Sequence, residues 1–329
     1  MRIRTKSIIT FLILSLAPLA IIGVIAYQNG KKTIEESLGA CFRQTAHVII
    51  NRIDRNLHEV YSNIQNLAEL DVMQEIITDD IDGKISSFFM DLNREYRHFS
   101  FINALNSQGD VVASSNFKLI GKNFKFKLEN FYKNSNGGKA YVEDAYLDEI
   151  SQDWVVVFFF PVKDKFEKGK IIGFIFAGWK VDALSSLIPS GKSKEHLYFY
   201  RRLIIMRGDG LALYSSEVGE AITYKLNLIN AGLKSALLVS QKEEGHLVEA
   251  DVYNKKSVIA YHFSKGYRDF PGLGWAALVV QDVKTAFEPI VHLQIIIFGV
   301  GAIAGIFVIL LSIFVSRRMT NPILQISQV

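Results

Sequence analysis

Apolar and polar positions are arranged in three different ways along this chain. Two stretches, Ile8–Tyr27 and Val291–Val315, are apolar almost throughout. A helix rising about 1.5 Å per residue needs roughly 20 such residues to cross a hydrocarbon layer about 30 Å thick, so both predict membrane spans. From Asn29 to Ile77 the texture is helical and free of proline, with Ala46, Ile50, Ile53, Leu57, Val60, Ile64 and Leu67 recurring at alternating steps of four and three. That is a heptad seam, with Arg52, Asp54, Arg55 and Glu59 assigned to the polar faces. A stripe laid on its own domain and a seam shared with a second copy both satisfy it.

Asp79, Asp80, Asp82 and Gly83 end the helical pattern, and from Phe99 the texture is that of strands. Phe101–Leu105 and Val111–Ser115 flank a turn at Asn106–Asp110 and predict a hairpin. A polar loop at Lys133–Lys139 precedes Ala140–Tyr146, and then come two strongly apolar runs, Trp154–Val162 and Lys170–Trp179. Runs of that kind predict strands central in a sheet. A linker is expected at Pro189-Ser-Gly191. The strand pattern then restarts at Leu203–Met206 and Leu211–Ser215, followed by a helical stretch Leu226–Ser240 and strands at His246–Tyr253, Ser257–Phe263 and Trp275–Gln281.

The restart reads as a repeat. Placing Ser114-Ser115 on Ser215-Ser216 puts Gly109 on Gly210, an offset of 101, and the exits at Asp182 and Asp282 are offset by 100. Two landmarks in different elements agree to one residue, which predicts two copies of one hairpin-rich module in series.

Charge orients the chain. Arg2, Arg4 and Lys6 precede the first apolar stretch, and Arg317 and Arg318 follow the second. Positive residues stay on the cytoplasmic side, so both ends are expected inside and the about 260 residues between them outside. A cleaved signal peptide is the competing account of the first stretch, but its apolar run is long and no small-x-small site follows Tyr27. The net charge of +4 is concentrated at the ends, leaving no footprint for nucleic acid. Cys41 is the single cysteine, so no internal disulfide is available.

The order of elements resembles the double-Cache (dCache) sensors of bacterial and archaeal receptors. The residues that carry the resemblance are Gly109-Asp-Val-Val-Ala-Ser-Ser115, Phe160-Pro161-Val162 with Gly169-Lys-Ile-Ile-Gly173, and Gly274-Trp-Ala-Ala-Leu-Val-Val-Gln-Asp282. It implies an α+β fold: a long N-terminal helix and two tandem PAS-like antiparallel-sheet modules, flanked by two transmembrane helices. The expected division is 1–7 cytoplasmic, 8–27 first span, 28–78 long helix, 79–190 membrane-distal module, 191–290 membrane-proximal module and 291–315 second span. Ser316-Arg-Arg-Met-Thr-Asn-Pro-Ile-Leu324 looks like the opening of a HAMP relay, so 316–329 is expected to begin that domain and the output domain to lie beyond it.

Members of that family that bind α-amino acids carry an Arg two residues before an aromatic pair, a later Tyr-x-Asp and a final Asp. Here Phe131-Tyr132 matches the pair loosely and Tyr146-Leu-Asp148 matches Tyr-x-Asp. Glu129 stands in place of the Arg and Gly178 in place of the last Asp, so an α-amino acid bound in that mode is not expected. The remaining set is Glu129, Phe131, Tyr132, Tyr141, Asp144, Tyr146, Asp148 and Trp154. Aromatic rings with acids suit an amine or another cation through cation–π contact and ion pairing. The competing account of Asp148 is a turn residue capping local amides.

Other chemistry is missing from the sequence. The seven histidines are scattered, with no metal-ligand spacing, and no nucleophile elbow or phosphate-cradling loop occurs. No cofactor is expected. Gly301 and Gly305 form a Gly-x-x-x-Gly pair suited to close helix packing in the membrane. Together these readings predict a two-pass plasma-membrane receptor, paired as a homodimer, that senses a small molecule outside the cell. Family habit favours a histidine kinase as the output, with a chemoreceptor or a diguanylate cyclase as alternatives. A membrane-anchored exterior enzyme or a scaffold are the readings from other classes.

Overall fold

The computed structural model describes residues 3–135, 139–167, 169–188, 202–217 and 222–326. The linker expected at Pro189-Ser-Gly191 and the middle of the loop expected at Lys133–Lys139 lie outside the described residues.

Helix α1 (Ile3–Ala68) runs unbroken from the first apolar stretch through the heptad seam, with Pro18 accommodated inside it. The seam residues are buried by their own chain, Val60 only in part. Asp54, assigned by its polarity to an outer face, is buried with them. Its carboxylate accepts from Ser264 Oγ at 2.6 Å and from the Gly266 amide at 3.1 Å. The α-helix ends at Ala68, nine residues short of the predicted Ile77. A 3₁₀ stretch, Asp71–Thr78, follows and tucks Met73 and Ile76 into the core. Asp80 then accepts from the Ile85 and Ser86 amides and opens α2 (Lys84–Tyr96).

Two five-stranded antiparallel sheets follow. The first holds β1 (Phe99–Asn106), β2 (Val111–Ser114), β3 (Tyr141–Leu147), β4 (Trp154–Lys163) and β5 (Ile171–Lys180), in the order β2-β1-β5-β4-β3. The second holds β6 (Arg202–Met206), β7 (Ala212–Ser215), β8 (Gly245–Ala250), β9 (Lys256–Phe263) and β10 (Ala276–Asp282), in the order β7-β6-β10-β9-β8. Helix α3 (Lys125–Asn134) packs over the first sheet, and the short α4 (Leu184–Leu187) leaves it. Helix α5 (Lys234–Ser240) accompanies the second. The helical stretch predicted from Leu226 starts only after Leu233. Leu211 bridges Asn227, and Gly232 sits at φ +86°, so the preceding residues are held in turns.

The repeat extends to individual hydrogen bonds. The Ile102 amide donates to Ser115 Oγ and the Leu203 amide to Ser216 Oγ, both at 2.9 Å. Gly109 and Gly210 hold the hairpin turns at φ +89° and +96°, where side chains are disfavoured. Fillings differ. Phe101, Phe124, Phe131, Phe159, Phe174 and Phe176 dominate the core under the first sheet, whereas Ile204, Leu228, Ile259, Leu278 and Val280 fill the second.

From β10 the chain passes through α6 (Val283–Ala286) into α7 (Glu288–Ile326). Among the described residues two helices, α1 and α7, are long and apolar enough to cross a membrane. Between their apolar parts, a Cβ at Gly23 would touch Ile297 at 3.9 Å and one at Gly305 would touch Leu16 at 3.8 Å. A Cβ at Gly301 would meet nothing within 4 Å, and Gly301 lines an apolar groove of about 490 Å³ with Leu16, Ala20 and Phe298.

Candidate ligand site in the first sheet

Strand β3 is the edge of its sheet, and an irregularity between Glu143 and Tyr146 changes which side chains share a face. Glu143 and Tyr146 consequently both turn toward α3. Between them lies the amine of Lys127, 2.9 Å from Glu143 Oε2, 3.1 Å from the Tyr146 hydroxyl and 4.2 Å from the centre of its ring. An aromatic ring and an acid thus hold a cation here, but the acid is Glu143, outside the expected set, and the cation is the chain's own Lys127. Burial pushes the Tyr146 phenol far above its ordinary range, with Glu143 and Asp148 adding to the shift. Tyr141 packs beside the same core.

The other expected residues are distributed around this point. Phe131 is fully buried, its ring centre 5.1 Å from Phe174 and 5.8 Å from Phe159. Tyr132 follows it on the outer side, half exposed, edge-on to Phe174. Glu129 is exposed on α3. Asp144 and Trp154 meet residues of the second module that flank its sheet. Asp144 Oδ1 accepts from Trp275 Nε1 at 2.7 Å, and Trp154 stacks on Tyr224 at 4.7 Å with the rings 4° from parallel. Burial raises the Asp144 carboxyl above its ordinary range, against the opposing pull of the Trp275 N–H. Arg207 Nη1 donates to the neighbouring Ala145 carbonyl at 2.5 Å, occupying a free edge position of β3.

Asp148 lies at the turn after β3, where Oδ2 accepts from the amide and hydroxyl of Ser151, both at 2.8 Å. The same residue lines a small cavity of about 10 Å³ with Ser100, Asn103, Phe101, Phe124 and Phe176. That is the size of one water probe. Asn103 is buried under the sheet. Its Oδ1 accepts from Ser114 Oγ at 2.6 Å, while its Nδ2 has no hydrogen-bond partner. A buried amide donor without an acceptor costs about 1–3 kcal/mol, so its retention calls for an explanation. Gly178 explains how the rings fit: a Cβ there would meet the Phe101 ring at 2.6 Å.

A wider groove of about 850 Å³ runs past Tyr61, Gln65, Phe160, Pro161 and Lys163. It is half open. Its Lys165 is paired with Asp71, and its Asp164 with the Phe166 and Glu167 amides of its own loop. Asn103, Lys127, Glu143 and Trp275 were not among the residues expected from sequence. Asn103 alone left a trace, as the one polar residue within Phe101–Leu105.

Two like-ordered sheets along one long helix, with an unpartnered amide in the core of the first, form a tandem α+β module. The family model of the Cache domain in its double form (dCache_1) matches residues 30–290, and the chain belongs to that family. The ligand-binding domain of the Campylobacter jejuni chemoreceptor Tlp3 with L-valine superposes with a TM-score of 0.56 at 12% identity, over 78% of this chain and 97% of that one. The ligand-binding domain of the Pseudomonas fluorescens chemoreceptor CtaA with L-isoleucine gives 0.55 at 15% identity, over 79% and 98%. The extracellular domain of the putative histidine kinase mmHK1S-Z2 gives 0.55 at 12%, over 77% and 98%. At such identities the likeness is one of fold. Among curated proteins, none matches the sequence.

Proposed function

We propose that the protein is a two-pass membrane receptor whose distal module binds a small amine outside the cell. In this reading the signal passes through α1 and α7 to a HAMP relay beginning near Ser316. A histidine kinase output is favoured by family habit, and a chemoreceptor is the second form. The observation that carries the ligand reading is the unpartnered Nδ2 of Asn103 at a small cavity that Asp148 lines together with Phe101, Phe124 and Phe176. A ligand with an ammonium for Asp148 and an acceptor atom for Asn103 satisfies both, with Phe101, Phe124 and Phe176 as walls. Displacement of the turn Asp148–Asp153 would admit it. Glu129, exposed on α3, and Gly178, covered by Phe101, speak against an α-amino acid held in the family's mode.

The path outward from the site is short. Strand β3 turns Glu143 and Tyr146 toward α3, and Asp144 and Ala145 toward Trp275 and Arg207. Trp275 stands directly before β10, which leads through α6 into α7. A shift of β3 by about 1–2 Å is of the size that such helix movements use. Calorimetry on the purified full chain with putrescine, spermidine and a panel of α-amino acids tests the reading. Binding of an amine, weakened at least about tenfold in Asp148→Asn, is the expected result. Tight amino-acid binding with no response to amines overturns the ligand class.

A further inference from the structure

Away from the distal cavity, α1 meets the second sheet through two histidines. His47 on α1 and His262 on β9 lie with ring centres 4.6 Å apart. His262 is 4% exposed. Its Nδ1 is 2.9 Å from the Phe263 carbonyl and its Nε2 is 2.8 Å from Glu244 Oε2. Both partners only accept, and a neutral imidazole carries a single N–H. Only the imidazolium donates to both, so the neutral ring leaves one contact unmade.

The surroundings oppose that second proton. Burial is the main cause that holds His262 below its ordinary range, and His47 and Lys265 add to it. The Phe263 carbonyl and Glu244 pull the other way. Lys265 Nζ shares the same Glu244 oxygen at 3.2 Å, and Arg43 on α1 also acts on Glu244. His47 Nε2 faces the side-chain nitrogen of Asn51 at 2.8 Å, an arrangement in which the amide donates to a bare ring nitrogen.

We propose that His47, His262 and Glu244 form a proton-binding site through which the protein responds to acid, a second stimulus independent of any ligand in the distal module. In neutral medium Nδ1–H holds the Phe263 carbonyl, and Glu244 is held by Lys265. On acidification Nε2 takes a proton and closes a charged hydrogen bond to Glu244, tying β9 to the turn before β8. The same proton places a charge in a buried position that burial, His47 and Lys265 all disfavour, and α1 moves off β9 to let water reach it. His47 belongs to the unbroken helix that begins with the first apolar stretch. That the acid is external rests on the two-pass reading; the proton binding does not.

The sign follows from linkage. The unfolded chain binds this proton around 6.5 and the folded chain only at lower pH, so stability is lost as pH falls below about 6.5. The experiment uses the full chain in nanodiscs, with labelled histidine followed by NMR and hydrogen exchange of residues 43–51 followed from pH 7.5 to 5.5. The expected result is a His262 transition below 6.5, with protection of that segment falling about tenfold in step. His262→Gln keeps a donor and an acceptor and should hold the exchange flat. Glu244→Gln removes the attracting charge and should move the transition to lower pH. Equal pH dependence in His262→Gln and the parent, or none in the parent, overturns the proposal. Where His262→Gln does not fold, an unmoved transition in Glu244→Gln overturns it instead. Protease mapping that places residues 43–51 inside the cell would overturn the two-pass reading and leave the titration intact.

Discussion

The two sheets share one hydrogen-bonded scaffold and differ in what hangs from it. Asn103 pairs with Ser114 in the first sheet, and Ile204 pairs with Ser215 in the second, each at the same offset of 101. Phe101 lies opposite Gly178, whereas Arg202 lies opposite Val280. The first sheet therefore places a buried amide and a large ring where the second has an aliphatic side chain and a buried guanidinium. Arg202 pairs with Glu217 at 2.8 Å and with Asp251 at 3.5 Å, and its guanidinium carbon lies 4.5 Å from the centre of the Tyr253 ring. Backbone bonds preserve a fold after duplication, while the inner-face residues are free to diverge. The first copy keeps an unmet donor, Asn103 Nδ2, inside its aromatic core, whereas in the second the aliphatic core is apolar and the unmet atom is Gln281 Oε1 on β10, outside that core.

Exchanging the paired residues tests this contrast. The largest effect is expected from Ile204→Asn, which places an amide without a partner in the aliphatic core and removes buried apolar area. A loss of about 4 kcal/mol in urea denaturation is expected. A loss under about 1 kcal/mol would mean that the second core is as tolerant of an amide as the first. Next comes Gly178→Ala. Its Cβ would press on the Phe101 ring, at a cost of about 2 kcal/mol. Unchanged stability there would show that the aromatic core gives way readily, as a site that opens for a ligand must. The smallest shift in stability is expected from Asn103→Ile, which makes the first sheet like the second. Removing the unpartnered amide should stabilise the fold by about 1 kcal/mol, offset in part because Ser114 loses its acceptor. In the same variant amine binding should disappear in calorimetry. A variant that still binds would move the site away from this cavity.

Much of the framework was legible in the residues because it follows from local periodicity. The two apolar stretches, the heptad seam and the hairpins around Gly109 and Gly210 each depend on neighbours a few positions apart. The 101-residue offset was legible for the same reason. The site was less so. Asp148 and Tyr146 stood out by spacing, but the partner of Tyr146 is Lys127, and the partner of Asp144 is Trp275, 131 residues away. A salt bridge or a stacked pair across such separations leaves no periodic trace.

By itself, the order of apolar and polar residues determined that there would be two long apolar helices, one seam-bearing helix and two repeated β-rich modules. Only the folded chain decided that Asp54 would be buried against the Ser264–Gly266 turn, that Asn103 would keep a bare donor, and that His262 would face two acceptors. Burial and pairing of polar groups depend on which distant segments arrive beside them, and that is a property of the packing rather than of any stretch of sequence.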